Sequence, residues 1–359
     1  MTAPLLIMSA SAFAASFVGT WLAIWIGSRA GAMDGAGVQG QTKARARRVP
    51  NVGGVGIVVG LLASVAVGVA AYTGGSHASP IGSGDLFATL VCLLLLHGIG
   101  LLDDRRPLPW SPKLAAMLVI PAALAWWTDA RLLTAADALA GGAWASIVLT
   151  ALWFAVVMNA VNFLDNMDGL AGGCTGVIAL GTLGVAMVQG QSEVALGAAV
   201  LLAGVLGFLP WNYPRARVFM GDGGSLVLGF ALAWLTTRLT YVDSTLASDP
   251  RWDRLAMPLL LLAVPLYDFV SVILIRLSQG RSPFVGDLQH LSHRFERRGL
   301  SKPGAVASIW SLTAVLCLGA LIMADATPRQ SALVLVQALL ALLLLAGIER
   351  GLRRREDPE

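Results

Sequence analysis

The sequence predicts an all-α integral membrane protein, a polytopic bundle of about eleven transmembrane helices with cytoplasmic active-site loops. Of its 359 residues, 56% are hydrophobic and only 13% are charged, which is about half the charged fraction of an average soluble domain. The apolar residues form continuous runs close to the ~20 residues that a helix needs to cross a bilayer. This composition excludes a soluble globular enzyme, a disordered protein and a nucleic-acid binder, although the isoelectric point is about 9.2.

Eleven apolar runs qualify as membrane spans, and the fourth and eighth are the least distinct of them. In chain order they are residues 5–27, 52–72, 85–102, 114–128, 144–162, 169–189, 194–211, 219–237, 256–275, 303–323 and 331–348. No internal repeat is evident, so we expect residues 1–359 to form a single transmembrane domain. The three cysteines all lie in apolar runs, which argues against a disulfide framework or a metal cluster.

The basic residues predict the orientation of these spans, because cytoplasmic loops of membrane proteins are enriched in Lys and Arg. Of the 25 basic residues, 20 fall in the odd-numbered loops and the tail after residue 348. The other 5 fall in the even-numbered loops. We therefore expect the N-terminus to lie outside and the odd-numbered loops to lie in the cytoplasm.

Five aspartates occur at the predicted cytoplasmic ends of spans, namely Asp103, Asp104, Asp165, Asp168 and Asp222. Carboxylates at a membrane edge are costly, and they are therefore candidates for function. The adjacent residues Asp103 and Asp104 point in directions roughly 100° apart on a helix. A divalent cation is the simplest relief of their mutual repulsion, and neutralisation by the two arginines that follow them is the alternative.

A polar row ends the fifth predicted span. Asn159, Asn162, Asp165 and Asp168 follow one another at intervals of three residues, so they share a face wherever the chain is helical. Such a row at the end of an apolar helix needs either a polar ligand or a hydrogen-bonding partner on a neighbouring helix.

Two glycine-containing segments open predicted spans. Residues Phe219–Ser225 surround Asp222 with glycines, and Pro50–Gly54 follow a basic stretch that includes Lys43. Exposed backbone N–H groups at a helix N-terminus suit an anion, and the aspartate suits Mg²⁺. Ordinary helix capping and close helix packing are the alternatives.

The predicted loop 276–302 carries His290, His293 and Arg294. Their imidazole and guanidinium groups suit phosphate, and solvated loop residues are the alternative. Asp268 lies inside the ninth predicted span, where it either pairs with a neighbouring helix or supports the site. Together, these residues suit the transfer of a phosphorylated group onto a membrane-bound acceptor.

The chain resembles the polyprenyl-phosphate N-acetylhexosamine-1-phosphate transferases, the superfamily that includes WecA, TagO and MraY. The matching motifs, in order, are Lys43 with Pro50–Gly54, Asp103 and Asp104 with Lys113, Asn159 to Gly169, Asn212 to Ser225, and Asp268 with Asp287, His290, His293 and Arg294. Three positions depart from the pattern, because Asn166 stands in place of a glycine, and Ser292 and Arg45 each stand in place of a histidine. The form of the first and last motifs resembles the WecA/TagO branch rather than the MraY branch.

The resemblance implies a UDP-N-acetylhexosamine donor, in the first place UDP-N-acetylglucosamine, and undecaprenyl phosphate as the acceptor. It also implies UMP and an undecaprenyl-diphospho-sugar as products, Mg²⁺ or Mn²⁺ as the cofactor and a location in the bacterial plasma (inner) membrane, and it is compatible with a homodimer. In such a site we expect Asp222 to be a metal ligand with Asp104 as its partner, and we expect catalysis to use Asp103 and Asp104. The expected substrate-binding residues are Lys43, Asn159, Asn162, Asp165, Asp168, His290, His293 and Arg294.

Three other functions remain open from the sequence. The first is an MraY-type phospho-N-acetylmuramoyl-pentapeptide transferase. The others, from different classes, are a secondary transporter and a noncatalytic lipid-carrier binder. Transporters usually place polar groups near the bilayer midplane in repeated halves, whereas these aspartates occur at helix ends on one side.

Overall fold

The computed structural model describes residues 2–31, 49–73, 83–239, 252–283 and 287–356. Within these residues the chain forms fourteen α-helices, a 3-10 helix at Trp252–Ala256 and an isolated parallel bridge between Asn51 and Phe219. The helices are α1 (Thr2–Ala30), α2 (Gly53–Thr73), α3 (Ser83–Arg105), α4 (Trp110–Thr128), α5 (Ala135–Ala140), α6 (Trp144–Leu164), α7 (Leu170–Val188), α8 (Ser192–Asn212), α9 (Asp222–Arg238), α10 (Met257–Leu261), α11 (Ala263–Ser278), α12 (Leu291–Arg297), α13 (Lys302–Met323) and α14 (Pro328–Glu356).

Each of the eleven predicted spans coincides with a helix, but the ninth is divided into α10 and α11. Pro265 explains the break, because proline has no N–H to donate to the carbonyl of Leu261 one turn earlier. The eighth span begins three residues later than predicted, after Gly221 adopts a positive φ of 69°. Among the described residues, eight helices are long and apolar enough to cross a membrane. The chain is therefore a multi-pass membrane protein, and the count of eleven spans stays a prediction.

Helix α9 lies at the centre of the bundle. It packs against α2, α3 and α6, and α7 and α8 also contact it. Its residues are buried along nearly the whole length, whereas α14 exposes most of its apolar side chains. Because neighbouring helices surround α9, its N-terminus places Asp222 among the ends of several helices.

The two glycine-containing segments predicted from the sequence lie side by side. The N–H of Gly53 donates to the carbonyl of Phe219 at 2.8 Å, and the N–H of Gly54 donates to that of Met220 at 2.9 Å. A Cβ at Gly54 would collide with the backbone of Gly224. The starts of α2 and α9 therefore lie so close together that only glycine fits at position 54.

Candidate active site

Asp104, at the C-terminal end of α3, fixes the start of α9. Its Oδ1 accepts hydrogen bonds from the backbone N–H of Asp222 and from Nδ2 of Asn51, both at 2.9 Å, and its Oδ2 accepts from the N–H of Gly223 at 3.1 Å. Unpaired N–H groups and the positive end of the helix dipole favour an anion at this position. A Cβ at Gly221 would collide with this carboxylate. Asp104 is therefore a helix-capping residue, and its roles in catalysis and metal binding stay predictions.

Lys113, near the start of α4, joins two carboxylates from different helices. Its Nζ donates to Oδ2 of Asp103 at 2.9 Å, and it also contacts Oδ2 of Asp222. The other oxygen of Asp103 accepts from the N–H of Leu108 at 2.6 Å. These three charged side chains are 14% to 23% exposed, so the cluster is accessible from outside the bundle. The ammonium group holds together two carboxylates that would otherwise repel each other.

Asn159 and Asn162, the two residues of the polar row that lie on α6, contact different neighbouring helices. Nδ2 of Asn162 donates to Oδ1 of Asp222 and to Oγ of Ser225, both at 2.8 Å. Asn159 donates instead to a carbonyl of its own helix at 2.7 Å, and its Nδ2 lies 3.2 Å from Sδ of Met117 on α4. The structure thus brings Asn162 to the aspartate cluster. The amide of Asn159 contacts α4 and its own helix instead, and its role in substrate binding stays a prediction.

The predicted common face of Asp165 and Asp168 does not exist, because α6 ends at Leu164 and both residues lie in the turn before α7. Oδ2 of Asp168 accepts from the N–H of Ala216 at 2.9 Å, which ties this turn to the segment after α8. Desolvation and the carboxylates of nearby aspartates, including Asp222, raise the pKa of Asp165 to about 8. Asp165 therefore belongs to the aspartate cluster, whereas Asp168 holds the adjoining backbone.

Asp268, fully buried on α11, holds the histidine segment. Its Oδ2 accepts from Nδ1 of His290 at 2.9 Å, and its Oδ1 accepts from the N–H of Leu291 at 2.6 Å. The carboxylate therefore caps α12 and fixes the ring of His290, whose Nε2 is left for another partner. The ring of His290 also meets that of Phe163 at the end of α6, with centroids 5.3 Å apart and planes at 90°.

Arg294 is buried among protein partners. Its Nη2 donates to Oγ of Ser271 at 2.8 Å, its Nε lies 3.1 Å from Glu349 Oε1, and Asp268 Oδ1 is 3.7 Å away. Tyr267 donates to the other oxygen of Glu349 at 2.7 Å. A buried guanidinium needs such partners to offset its desolvation. The side chain of Arg294 therefore joins α12 to α11 and α14, and its role in substrate binding stays a prediction.

The rest of the histidine segment is also anchored. Nδ1 of His293 lies 3.5 Å from Glu296, and burial lowers the pKa of His293 below its usual value of 6.5. Nη2 of the buried Arg276 donates to Asp287 at 3.1 Å, and this ion pair holds the pKa of Asp287 below its usual range. Lys43, the remaining predicted substrate-binding residue, lies outside the described residues.

Sequence reasoning assigned no role to several residues at this end of the bundle. Lys113 and Asn51 contact the aspartate cluster directly, and Glu349 pairs with the histidine segment. His97, buried on α3, donates from Nδ1 to the carbonyl of Gly223 at 2.8 Å, which secures the first turn of α9. The sequence feature that could have identified Lys113 and Glu349 as site residues is a charged side chain at the end of an apolar run.

Among the described residues, no three His, Cys, Asp or Glu side chains are arranged to hold a metal ion. The nearest approach to such a site is the pair Asp103 and Asp222, which share one cation, the ammonium of Lys113. Carboxylate oxygens suit a hard cation such as Mg²⁺, which commonly takes one or two protein carboxylates and completes its coordination with water and substrate phosphates.

The fold and the site define a multi-pass membrane protein with a charged, polar site built where several helix ends meet. Residues 86–240 match the family model described as Glycosyl transferase family 4. The similarity to named relatives extends well beyond these residues, and the chain belongs to this family of transferases. This result confirms the resemblance found in the motifs.

Three relatives illustrate the similarity. A protein of Bacillus subtilis (strain 168), named probable undecaprenyl-phosphate N-acetylglucosaminyl 1-phosphate transferase, is 30% identical over 78% of this chain and 74% of its own length. Decaprenyl-phosphate N-acetylglucosaminephosphotransferase of Mycobacterium leprae (strain TN) is 31% identical over 86% of this chain and 81% of its own length. Undecaprenyl-phosphate alpha-N-acetylglucosaminyl 1-phosphate transferase of Escherichia coli (strain K12) is 29% identical over 75% and 71%, respectively.

Proposed function

We propose that this protein transfers N-acetylglucosamine 1-phosphate from UDP-N-acetylglucosamine to undecaprenyl phosphate and releases UMP. The observation that carries the proposal is the cluster in which Lys113 joins Asp103 and Asp222 at the edge of the apolar bundle. Such a position suits a reaction between a soluble nucleotide and a phosphate fixed to a lipid. The names of the three relatives support the same donor group and a polyprenyl phosphate acceptor.

The reaction depends on alignment of the two substrates and stabilisation of the phosphate charge more than on covalent catalysis by the protein. An oxygen of the lipid phosphate attacks the β-phosphorus of the donor, a new P–O bond forms, and the bond to UMP breaks. A phosphate monoester has a second pKa of about 6, so the acceptor is mostly a dianion at neutral pH. A strong general base is therefore unnecessary.

Asp222 and Asp103 are the residues that best fit the proposed Mg²⁺ or Mn²⁺, because their carboxylates already share a cation. Such an ion neutralises charge on the donor diphosphate when it is bound. Lys113 supplies a second positive group beside the same phosphates, and Asp104 holds the start of α9 so that Asp222 stays in place. His290, whose Nδ1 is bound to Asp268, would use Nε2 to hold the donor.

We further propose that the site lies on the cytoplasmic side of a bacterial plasma membrane, with the N-terminus outside. In the predicted topology, 20 of the 25 basic residues lie on the same side of the membrane as the site. Gln279, exposed just after α11, is a suitable reporter of this side. In a cysteine-free background, Gln279→Cys should react with an impermeant thiol reagent only after the cells are permeabilised. Labelling in intact cells would contradict the orientation.

The activity is tested with purified protein, undecaprenyl phosphate and a panel of UDP-sugars, with UMP release as the measurement. We expect turnover with UDP-N-acetylglucosamine or a close epimer and none with UDP-N-acetylmuramyl-pentapeptide. Asp325→Asn, which changes an exposed acid at the far end of α13, is the control for Asp222→Asn. Equal UMP release from both donors would favour the MraY-type function, and release from neither would refute the proposal.

A further inference from the structure

Two residues that depart from the family motifs contact each other. Oγ of Ser292, in the first turn of α12, donates a hydrogen bond to Oδ1 of Asn166, in the turn between α6 and α7. The motifs place a glycine and a histidine at these two positions. A glycine has no side chain to accept this bond, so Ser292 would lose its partner if Asn166 alone matched the motif.

The described surroundings of Ser292 and Asn166 favour the hydrogen bond between them. Ser292 is only 1% exposed, so water does not reach its hydroxyl group freely. Nδ2 of Asn166 donates to the carbonyl of Phe163, which fixes the amide with Oδ1 directed at Ser292. Removing the side chain of Asn166 therefore leaves the buried hydroxyl of Ser292 unpaired, which costs more than the bond itself contributes. Removing the hydroxyl of Ser292 leaves the half-buried amide oxygen of Asn166 without this partner.

The bond joins the midpoints of two predicted substrate-binding segments. Asn166 lies between Asp165 and Asp168, and Ser292 lies between His290 and His293. Other polar contacts of the histidine segment come from α11 and α14, and Lys302 at the start of α13 lies 3.8 Å from Glu296. The bond from Ser292 is a direct polar link between the histidine segment and the aspartate turn, and the edge-on contact of Phe163 with His290 supports it.

We infer that Asn166 and Ser292 form a matched pair of positioning residues that sets the histidine segment against the aspartate turn. This inference rests on the proposed function and on the prediction that residues of both segments bind the UDP-sugar. Small displacements of groups that hold a reactant can cost large factors in rate. The pair therefore governs use of the donor.

The test is a double-mutant cycle with Ser292→Ala, Asn166→Ala and the double variant, measured as donor and acceptor KM and as kcat. Ser292→Thr keeps the hydroxyl group and should retain donor KM. Ser11→Ala, which removes a hydroxyl bonded only within α1, is the matched control. We expect each single variant to raise donor KM by about 2- to 10-fold, the range of one hydrogen bond. The double variant should be no worse than the worse single variant, because the two changes remove the same bond.

Hydrogen exchange supplies a readout that does not depend on turnover. Ser292→Ala should speed amide exchange in both residues 165–169 and residues 291–297, because the bond links these segments. Faster exchange in 291–297 alone, or additive effects on donor KM, would overturn the pairing. If the wild-type protein releases no UMP from any UDP-sugar, the proposed function fails, and the exchange experiment still decides whether the two segments are linked.

Discussion

Replacing Lys113 by Met is the sharpest test of the charged cluster. The substitution keeps an unbranched side chain of similar length on α4 but removes the only described cation that contacts both Asp103 and Asp222. The two carboxylates then face each other without a positive partner. The change therefore tests charge and not packing.

The expected magnitude follows from the contacts. Hydrogen bonds to charged groups contribute about 1.5 to 3 kcal/mol each, and Lys113 makes two of them. Because all three side chains are partly exposed, solvent screening reduces the combined effect on the free energy of unfolding to about 2 to 4 kcal/mol. The same ammonium lies beside the proposed phosphates, and loss of a single preorganised electrostatic group lowers kcat by about 10²- to 10³-fold.

Two assays on the detergent-purified protein check these values, namely UMP release and thermal unfolding. Arg106→Met removes the same charge from an exposed position in the same loop and should leave both measurements near wild type. Lys113→Arg retains the charge on a bulkier, planar group and should recover part of the stability. Turnover of Lys113→Met within about 3-fold of wild type would refute the electrostatic reasoning.

Four further predictions follow from the same region. Asp222→Asn should lower turnover by at least ~10²-fold without unfolding the protein, and near-normal UMP release would remove it as a metal ligand. Arg294→Ala should lower the free energy of unfolding by about 3 kcal/mol, because the buried carboxylates of Glu349 and Asp268 lose a positive neighbour while Glu349 keeps Tyr267 and the more distant Arg298; an unchanged melting temperature would contradict this. His97→Asn, whose amide can reproduce the Nδ1 donor, should retain turnover that His97→Leu loses, and equal turnover of both variants would show that the bond to α9 is dispensable. Burial lowers the pKa of His293, so the unfolded chain binds a proton at this residue more readily than the folded protein does. The free energy of unfolding should therefore fall as the pH falls through 6.5 towards the lowered pKa of the folded state. The unfolding midpoint should depend on pH in this range more strongly for the wild type than for His293→Gln.

The membrane helices could be predicted from the sequence because apolar length is a local property. The break between α10 and α11 was missed because residues 256–267 are an uninterrupted apolar run, in which only the missing N–H of Pro265 marks the break. The aspartate cluster was also predictable, since its residues lie at the ends of spans that the predicted topology places on one side. The short helix α12 lies in what appeared to be a loop, and its start depends on Asp268, a residue of another helix.

The roles of individual side chains were harder to predict, because they depend on partners far away in the sequence. Asp104 looks like a metal ligand beside Asp103, but its oxygens are engaged by N–H groups 118 and 119 residues later. Arg294 looks like a phosphate-binding residue, but Glu349 on the last helix draws it into the protein interior. No local pattern reports such pairings.

The capping of α9 by Asp104 has a consequence for biosynthesis. At about 5 to 20 residues per second, the ribosome needs about 6 to 24 seconds to add the 118 residues that separate Asp104 from its backbone partner at Asp222. Throughout that interval the newly inserted α3 carries a carboxylate that has Asn51 available but lacks its backbone partners on α9, so this end of α3 must remain hydrated at the membrane surface. The reaction centre therefore closes only after α9 enters the membrane, and a nascent chain that stops before residue 222 is inactive however well its first helices have inserted.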